Sequence, residues 1–257
     1  MRFGIGQPVT RKEDPRFLTG RGRYVADIDL ARQAHAVFIY SAHAHARIRS
    51  VDKTAAEQMP GVYAVLTGDD WAADGLGTLD PEVMAEDMGG PKGYRTQRPP
   101  LAQGRVRCVG ERVAIVIAAT EAQARDAAEL VAVEYEVLPA VTHAEEAMRP
   151  GAPMLHEGAA NNTSFTMHMG NADAIDAAFA RAHHITRLSL YNNRITAMTM
   201  EPRGCIAEYD PGTRRYTLYS STQNVHVVSA MFWPIGSCTS RKAASASSRG
   251  MSAGALA

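Results

Sequence analysis

Two polar segments late in the chain carry side chains suited to binding or acid–base chemistry. Residues 201–204 contain an acid, Glu201, and a base, Arg203, which could pair or bind a ligand. By composition alone, a structural turn is the better interpretation of this segment. Residues 221–224 end a predicted strand with Gln223, whose amide can both donate and accept a hydrogen bond and so orient a polar ligand. A glutamine at a strand end is more often simply solvated.

Two histidines near the amino terminus could serve a metal ion. His43 and His45 are two residues apart, so they lie on the same side of the chain if the segment is extended. The sequence places no third ligand beside them, and protein zinc sites use at least three. The better interpretation is therefore that these histidines lie at the surface, or are buried with hydrogen-bond partners. No glycine-rich dinucleotide fingerprint or phosphate loop is present in the sequence.

Composition narrows the class of protein. Lys and Arg total 27 and Asp and Glu total 27, so no global field favours nucleic acid or an anionic membrane. The chain lacks a signal-peptide pattern and a run of ~18 apolar residues, so we expect a cytoplasmic protein whose partner is a protein or small molecule. The cysteines are Cys108, Cys205 and Cys238, an odd and scattered set that argues against disulfides or a cysteine zinc site. We expect Cys108 and Cys205 to be buried, inert thiols.

Hydrophobic patterning predicts alternating strands and helices over the first 140 residues. The strongest signal is a continuous apolar strand at residues 112–119, followed by Thr120 and Gln123 at the positions of a capping box. Small residues on one face of the helix that follows would let it pack closely on a sheet. The other predicted elements are an extended arm up to Gly22, strands at 35–40, 62–66 and 131–137, a short helix at 54–59 and a surface loop at 71–104.

The later residues predict the start of a second domain. A helix is expected from residue 171 or 173 to 183, a strand at 185–190, and a β-hairpin at 205–221 with a Pro/Gly turn. Strands and helices mixed in this way predict an α/β (α+β) fold.

Together, these segments resemble the amino-terminal third of the large, molybdenum-binding subunit of the xanthine dehydrogenase, aldehyde oxidase and aerobic carbon monoxide dehydrogenase family. The matching blocks keep their order and spacing as far as about His226, which is more specific than any single motif. They are residues 11–14, 17–24, 41–48, 61–62, 109–114, 124–128, 135–139, 200–204 and 221–224. One departure is Tyr40, where relatives usually carry arginine.

The resemblance implies a domain organisation and one site residue. It implies an extended arm over residues 1–17, an α/β hammerhead domain over 18–140 and an incomplete molybdopterin-binding domain over 150–230. In relatives the glutamine at the position of Gln223 lies beside the molybdenum centre and hydrogen-bonds one of its oxygen ligands, so Gln223 is the expected cofactor-binding residue. The resemblance implies a structural role for the block around Glu201. The glutamate base of the hydroxylases lies in the distant carboxy-terminal part of the family's subunit, so we expect no catalytic residue and no metal ligand here.

Residues 231–257 depart from the family pattern. Relatives continue through an IPE turn and a glycine-rich VGGGFG cofactor loop, whereas this chain becomes rich in Ser, Ala and Arg. With plausible GC-rich codons, a shift of one nucleotide turns residues 233–254 into something like LADWVLHIPESRLRVIARDVGGG, which follows the family pattern at nearly the expected distance from Gln223. We therefore interpret 231–257 as a frameshifted tail.

These observations predict a truncated large subunit of a molybdenum hydroxylase, an oxidoreductase by family that is inactive by itself. The complete family member would hold molybdenum–molybdopterin, as the cytosine dinucleotide or a similar pterin, whereas we expect this fragment to bind none. The implied partners are iron–sulfur and FAD-binding subunits or domains, with an aldehyde, an N-heterocycle or carbon monoxide as substrate. Two alternatives stay open: a non-catalytic module that docks an iron–sulfur partner, and one half of a split enzyme.

Overall fold

The computed structural model describes residues 6, 10–79, 84–193, 195, 201, 203–222, 226 and 228. These residues fall into two compact units. The larger unit spans residues 34–195, and the described residues of the smaller unit lie within 6–33 and 201–228. Gln223 and the whole of the tail at 231–257 lie outside the described residues.

The helices and strands follow the chain in a mixed order. The helices are α1 (Asp14–Leu18), α2 (Thr54–Glu57), α3 (Gly68–Ala73), α4 (Glu121–Glu129), α5 (Ala144–Ala147) and α6 (Ala172–Ala180). The strands are β1 (His35–Tyr40), β2 (Ala46–Asp52), β3 (Val62–Thr67), β4 (Arg105–Val106), β5 (Arg112–Ala118), β6 (Ala132–Val137), β7 (Cys205–Asp210) and β8 (Arg215–Ser220). This mixture confirms the α/β fold class.

The larger unit contains two antiparallel sheets. In the first sheet the central strand β5 lies between β1 and β3, and in the second sheet β2 lies between β4 and β6. Helix α4 packs on β1 and β5. The predicted strand–helix–strand succession is therefore present, but its two strands, β5 and β6, belong to different sheets.

The core of the larger unit forms where α4 lies on the first sheet. Val116 of β5 and Val65 of β3 are almost fully buried, as are Ala124 and Ala127 of α4. The continuous apolar run of β5 suits a central strand, because both of its faces are covered. Alanines on α4 let the helix backbone approach the sheet closely, as predicted.

The start of α4 contains one of the two predicted capping hydrogen bonds. The Thr120 hydroxyl oxygen accepts a hydrogen bond from the Gln123 backbone amide at 3.2 Å, which satisfies a donor of the first helical turn. The Gln123 side chain does not return to the Thr120 amide; its Oε1 accepts from the Thr120 hydroxyl at 3.1 Å. The same side chain lies over Gly61, which has a φ of +84° and where a Cβ would be 2.6 Å from Gln123 Cδ.

A polar cluster ties β3 to the start of α3. Oδ2 of Asp70 accepts from Lys53 Nζ at 2.9 Å and from both the amide and the hydroxyl of Thr67 at 2.8 Å. The hydrogen bond from Lys53 is the main cause of the lowered pKa of Asp70, and Thr67 adds to it. Thr67 is the N-cap of α3, so this cluster holds the helix start in place.

Several predictions from the sequence were wrong. Residues 185–190 form no strand in the described part of the chain, and Leu188 and Leu190 are about four-fifths exposed there. Cys108 and Cys205 are exposed rather than buried, because Cys108 lies in the turn between β4 and β5 and Cys205 begins an exposed hairpin. The predicted extended arm contains α1, whose first turn carries a proline, a favourable position for that residue.

Candidate functional site

Glu201 links two distant parts of the chain within the smaller unit. Its Oε1 accepts a hydrogen bond from the backbone amide of Val25 at 3.2 Å, across 176 residues of sequence. A Cβ built on the nearby Gly204 would lie 3.8 Å from Val25 Cγ1, an ordinary contact. The hydrogen bond joins the early chain to Glu201 before β7, which is consistent with a structural role for this side chain.

The hairpin of β7 and β8 leads directly to the segment that contains Gln223. Its six paired positions run from Cys205 opposite Ser220 to Asp210 opposite Arg215. The Tyr219 hydroxyl donates to Oε2 of Glu208 at 3.1 Å, and this bond is the main cause of the raised pKa of Tyr219.

The residues that follow the hairpin are only partly described. Ser221 and Thr222 come after the end of β8, whereas Gln223 lies outside the described residues. The structure therefore describes the element that leads to the predicted site residue and leaves the role of its amide a prediction.

The two early histidines lie in the larger unit, where their rings contact other residues of the fold. His45 is 4% exposed, and its Nδ1 donates to the carbonyl oxygen of Pro139 at 2.7 Å. The ring of His43 meets the ring of Tyr135 edge-on at 4.9 Å. Among the described residues, no group of three or more His, Cys, Asp or Glu side chains could hold a metal. Nε2 of His45 has no hydrogen-bond partner there.

The larger unit contains a cavity of about 390 Å³ that was not predicted from the sequence. Its lining includes Arg47, Arg105, Arg107 and His156, with Tyr94 on one wall. The signal that could have found it is the spacing of the arginines at 105 and 107, which places both side chains on one face of an extended segment. Since the strand of Arg47 was itself not predicted, its pairing with Arg105 could not be anticipated.

Comparison with protein families gives two matches along the chain. A family model described as the aldehyde oxidase and xanthine dehydrogenase a/b hammerhead domain matches residues 19–139. A second model, the molybdopterin cofactor-binding domain, matches residues 155–242. Within the described residues, no helix has the length and apolar character needed to cross a membrane.

Curated relatives are large subunits of oxidoreductases. The chain is 37% identical to the nicotine 6-hydroxylase large subunit of Paenarthrobacter nicotinovorans over 224 residues, covering 87% of this chain and 26% of the relative. It is 36% identical to the carbon monoxide dehydrogenase large chain of Hydrogenophaga pseudoflava over 237 residues, covering 88% of this chain and 28% of the relative. This chain therefore spans little more than a quarter of the length of either relative.

Solved structures agree with the sequence matches. Quinoline 2-oxidoreductase from Pseudomonas putida 86 superposes with a TM-score of 0.74 at 36% identity, covering 90% of this chain and 29% of that one. The Cu,Mo-containing carbon monoxide dehydrogenase superposes with a TM-score of 0.75 at 31% identity, covering 91% of this chain and 30% of that one. Both comparisons extend over most of the present chain.

Proposed function

We propose that this chain, which belongs to the aldehyde oxidase and xanthine dehydrogenase family, serves within the large subunit of a molybdopterin-dependent oxidoreductase. The observation that carries the proposal is the order of the two family matches, with the hammerhead domain at 19–139 before the molybdopterin cofactor-binding domain at 155–242. A fold alone does not identify a reaction, because one fold can host many functions. Two family-specific domains in this order along the chain support a narrower class of protein than either domain would support alone.

The substrate class is proposed from the relatives. Their names include a nicotine hydroxylase and a quinoline oxidoreductase, both of which act on N-heterocycles, and carbon monoxide dehydrogenases. We propose a small molecule of this kind, an N-heterocycle, an aldehyde or carbon monoxide, as the molecule oxidised by the whole protein.

The described residues do not by themselves fit a molybdopterin. The hairpin that leads to Gln223 is largely exposed, and of residues 221–224 beyond it the structure describes only Ser221 and Thr222. We therefore propose that the cofactor is held only when the polypeptide corresponding to the remaining length of the relatives is also present.

The cofactor form and the partners belong to the same proposal. A molybdopterin cofactor is characteristic of the domain matched at 155–242, and we propose the cytosine dinucleotide form for the complete protein. The relatives are named as subunits, one of them as part of a dehydrogenase complex. We propose iron–sulfur and FAD-binding subunits or domains as the partners.

A segment exchange tests this function. Residues 1–226 of this chain would replace the matching segment of the Hydrogenophaga pseudoflava carbon monoxide dehydrogenase large chain, and oxidation of carbon monoxide would be followed with a dye as electron acceptor. We expect the exchanged subunit to assemble and to oxidise carbon monoxide, because the segment supplies a hammerhead domain and the first cofactor-domain strands of the same family.

The control for the exchange carries Val116→Asp, which places a carboxylate in the core and should abolish assembly. The same exchange into the nicotine 6-hydroxylase large subunit shows whether a loss of turnover is specific to the first recipient. An exchanged subunit that folds and assembles in both recipients and turns over in neither would refute the proposed function.

A further inference from the structure

Three arginines line one cavity beside the second sheet of the larger unit. In the pairing of β2 with β4, Arg47 lies directly opposite Arg105. Arg107 is two residues beyond Arg105, and all three side chains line the same cavity. Like charges directly opposite each other on neighbouring strands destabilise a sheet, so this arrangement costs free energy unless an anion offsets it.

The carboxylates of the described residues offset this charge only in part. Glu136 accepts from Arg47 at 3.4 Å but is shared with Arg49. Glu157 lies 3.6 Å from Arg105 and is 84% exposed, so solvent screens the pair. Within the described residues Arg107 has no ion pair; its Nε donates to the carbonyl oxygen of Leu155 at 2.8 Å.

The cavity also removes part of this charge from water. The side chain of Arg105 is only 18% exposed. Burial is the main cause of the lowered pKa of His156 in the same wall, and the charges of Arg107, Arg105 and His45 lower it further. The lowered pKa favours the neutral form of the His156 ring, which can form hydrogen bonds.

The remaining wall is suited to a small organic group. The rings of Tyr94 and His156 lie with their centroids 5.7 Å apart at the edge of the arginine cluster. A volume of about 390 Å³ lies within the range of small-molecule sites. Guanidinium groups match the geometry of phosphate oxygens through paired N–H donors.

We propose that this cavity binds the phosphate group of a small phosphorylated molecule. Arg105 and Arg107 bind the phosphate oxygens, Arg47 supplies further positive charge, and the rings of Tyr94 and His156 contact the organic part. The arginines then serve a ligand, and the opposed pair of Arg47 and Arg105 is stabilised when the ligand is bound.

Isothermal titration calorimetry on the 257-residue chain tests the proposal, with inorganic phosphate and phenyl phosphate as probes at constant ionic strength. We expect saturable binding of both probes, and tighter binding of phenyl phosphate because the aromatic wall contacts its organic group. Arg105→Gln should weaken binding by about tenfold or more, since it removes charge-assisted hydrogen bonds. The matched control is Arg125→Gln, which removes the same charge from exposed helix α4 and should leave the affinity unchanged.

Thermal unfolding without ligand gives a second measurement. Arg105→Gln should unfold at the same temperature as the unmodified chain or higher, because the opposed arginines no longer repel each other. Equal phosphate binding by Arg105→Gln and Arg125→Gln would overturn the proposal, since only a general salt effect would remain. Preferential binding of an acidic peptide over both phosphate probes would also overturn it, and would identify the cavity as a contact for a protein partner.

Discussion

Replacing Gly68 with alanine is expected to destabilise the larger unit by about 3 kcal/mol, at the upper end of the overpacking range. Gly68 is the first residue of α3, and a Cβ there would lie 2.8 Å from the carbonyl carbon of Ala102 and closer still to its oxygen. Ala102 cannot easily withdraw, because its amide donates to the carbonyl of Arg112 in β5 at 2.7 Å. Urea unfolding followed by circular dichroism would measure the loss.

A glycine at which an added Cβ would make only an ordinary contact is the control for this substitution. Gly204→Ala meets only Val25 Cγ1 at 3.8 Å, so its free energy of unfolding should stay within about 0.5 kcal/mol of the unmodified chain. Neither position has a positive φ, so the comparison isolates steric overlap from backbone strain. Equal stability of the two variants would show that the 101–103 segment does not lie against α3 as described.

Gln223→Ala in the exchanged carbon monoxide dehydrogenase subunit is expected to lower turnover by about 10- to 100-fold, the range for losing a partner that orients a metal's ligands. Gln223 follows Thr222 after the end of β8, and its amide would orient an oxygen ligand of the metal. Steady-state oxidation of carbon monoxide, normalised to bound molybdenum, would measure the effect and separate it from loss of cofactor.

An exposed glutamine elsewhere in the exchanged segment is the matched control. Gln97 lies in an irregular part of the larger unit, and Gln97→Ala should leave turnover unchanged. If Gln223→Ala also leaves turnover per molybdenum unchanged, Gln223 is not a cofactor contact.

The predicted elements that succeeded have strong local signals. The apolar run of β5 and the Thr120 cap of α4 each depend on a few neighbouring residues, and both are present in the structure. The hairpin of β7 and β8 was also predicted, because Pro211 and Gly212 mark its turn. The ordered motifs predicted the family, which no single element could have done.

The elements that failed depend on contacts between distant residues. Strand β2 was not predicted, because the alternation of Ala46 and Ile48 with charged residues breaks at the register shift before Ser50, and the stability of the strand comes from pairing with β4 and β6. The arginine cavity depends on the same pairing. The strand expected at 185–190 has a suitable composition, but no described strand pairs with it.

Other predictions need observations that the fold does not supply. The cytoplasmic location, the domain boundaries and the frameshifted tail stay predictions. The role of Gln223 and the inactivity of the chain by itself also stay predictions.

Molybdenum content tests the central claim most directly, measured by inductively coupled plasma mass spectrometry on the exchanged subunit and on the 257-residue chain alone. We expect the exchanged subunit to hold molybdenum at the level of the unmodified recipient, and the chain alone to hold none above background. A folded, assembled exchanged subunit without molybdenum would contradict the proposed function, and molybdenum in the chain alone at the recipient's level would contradict the need for further polypeptide.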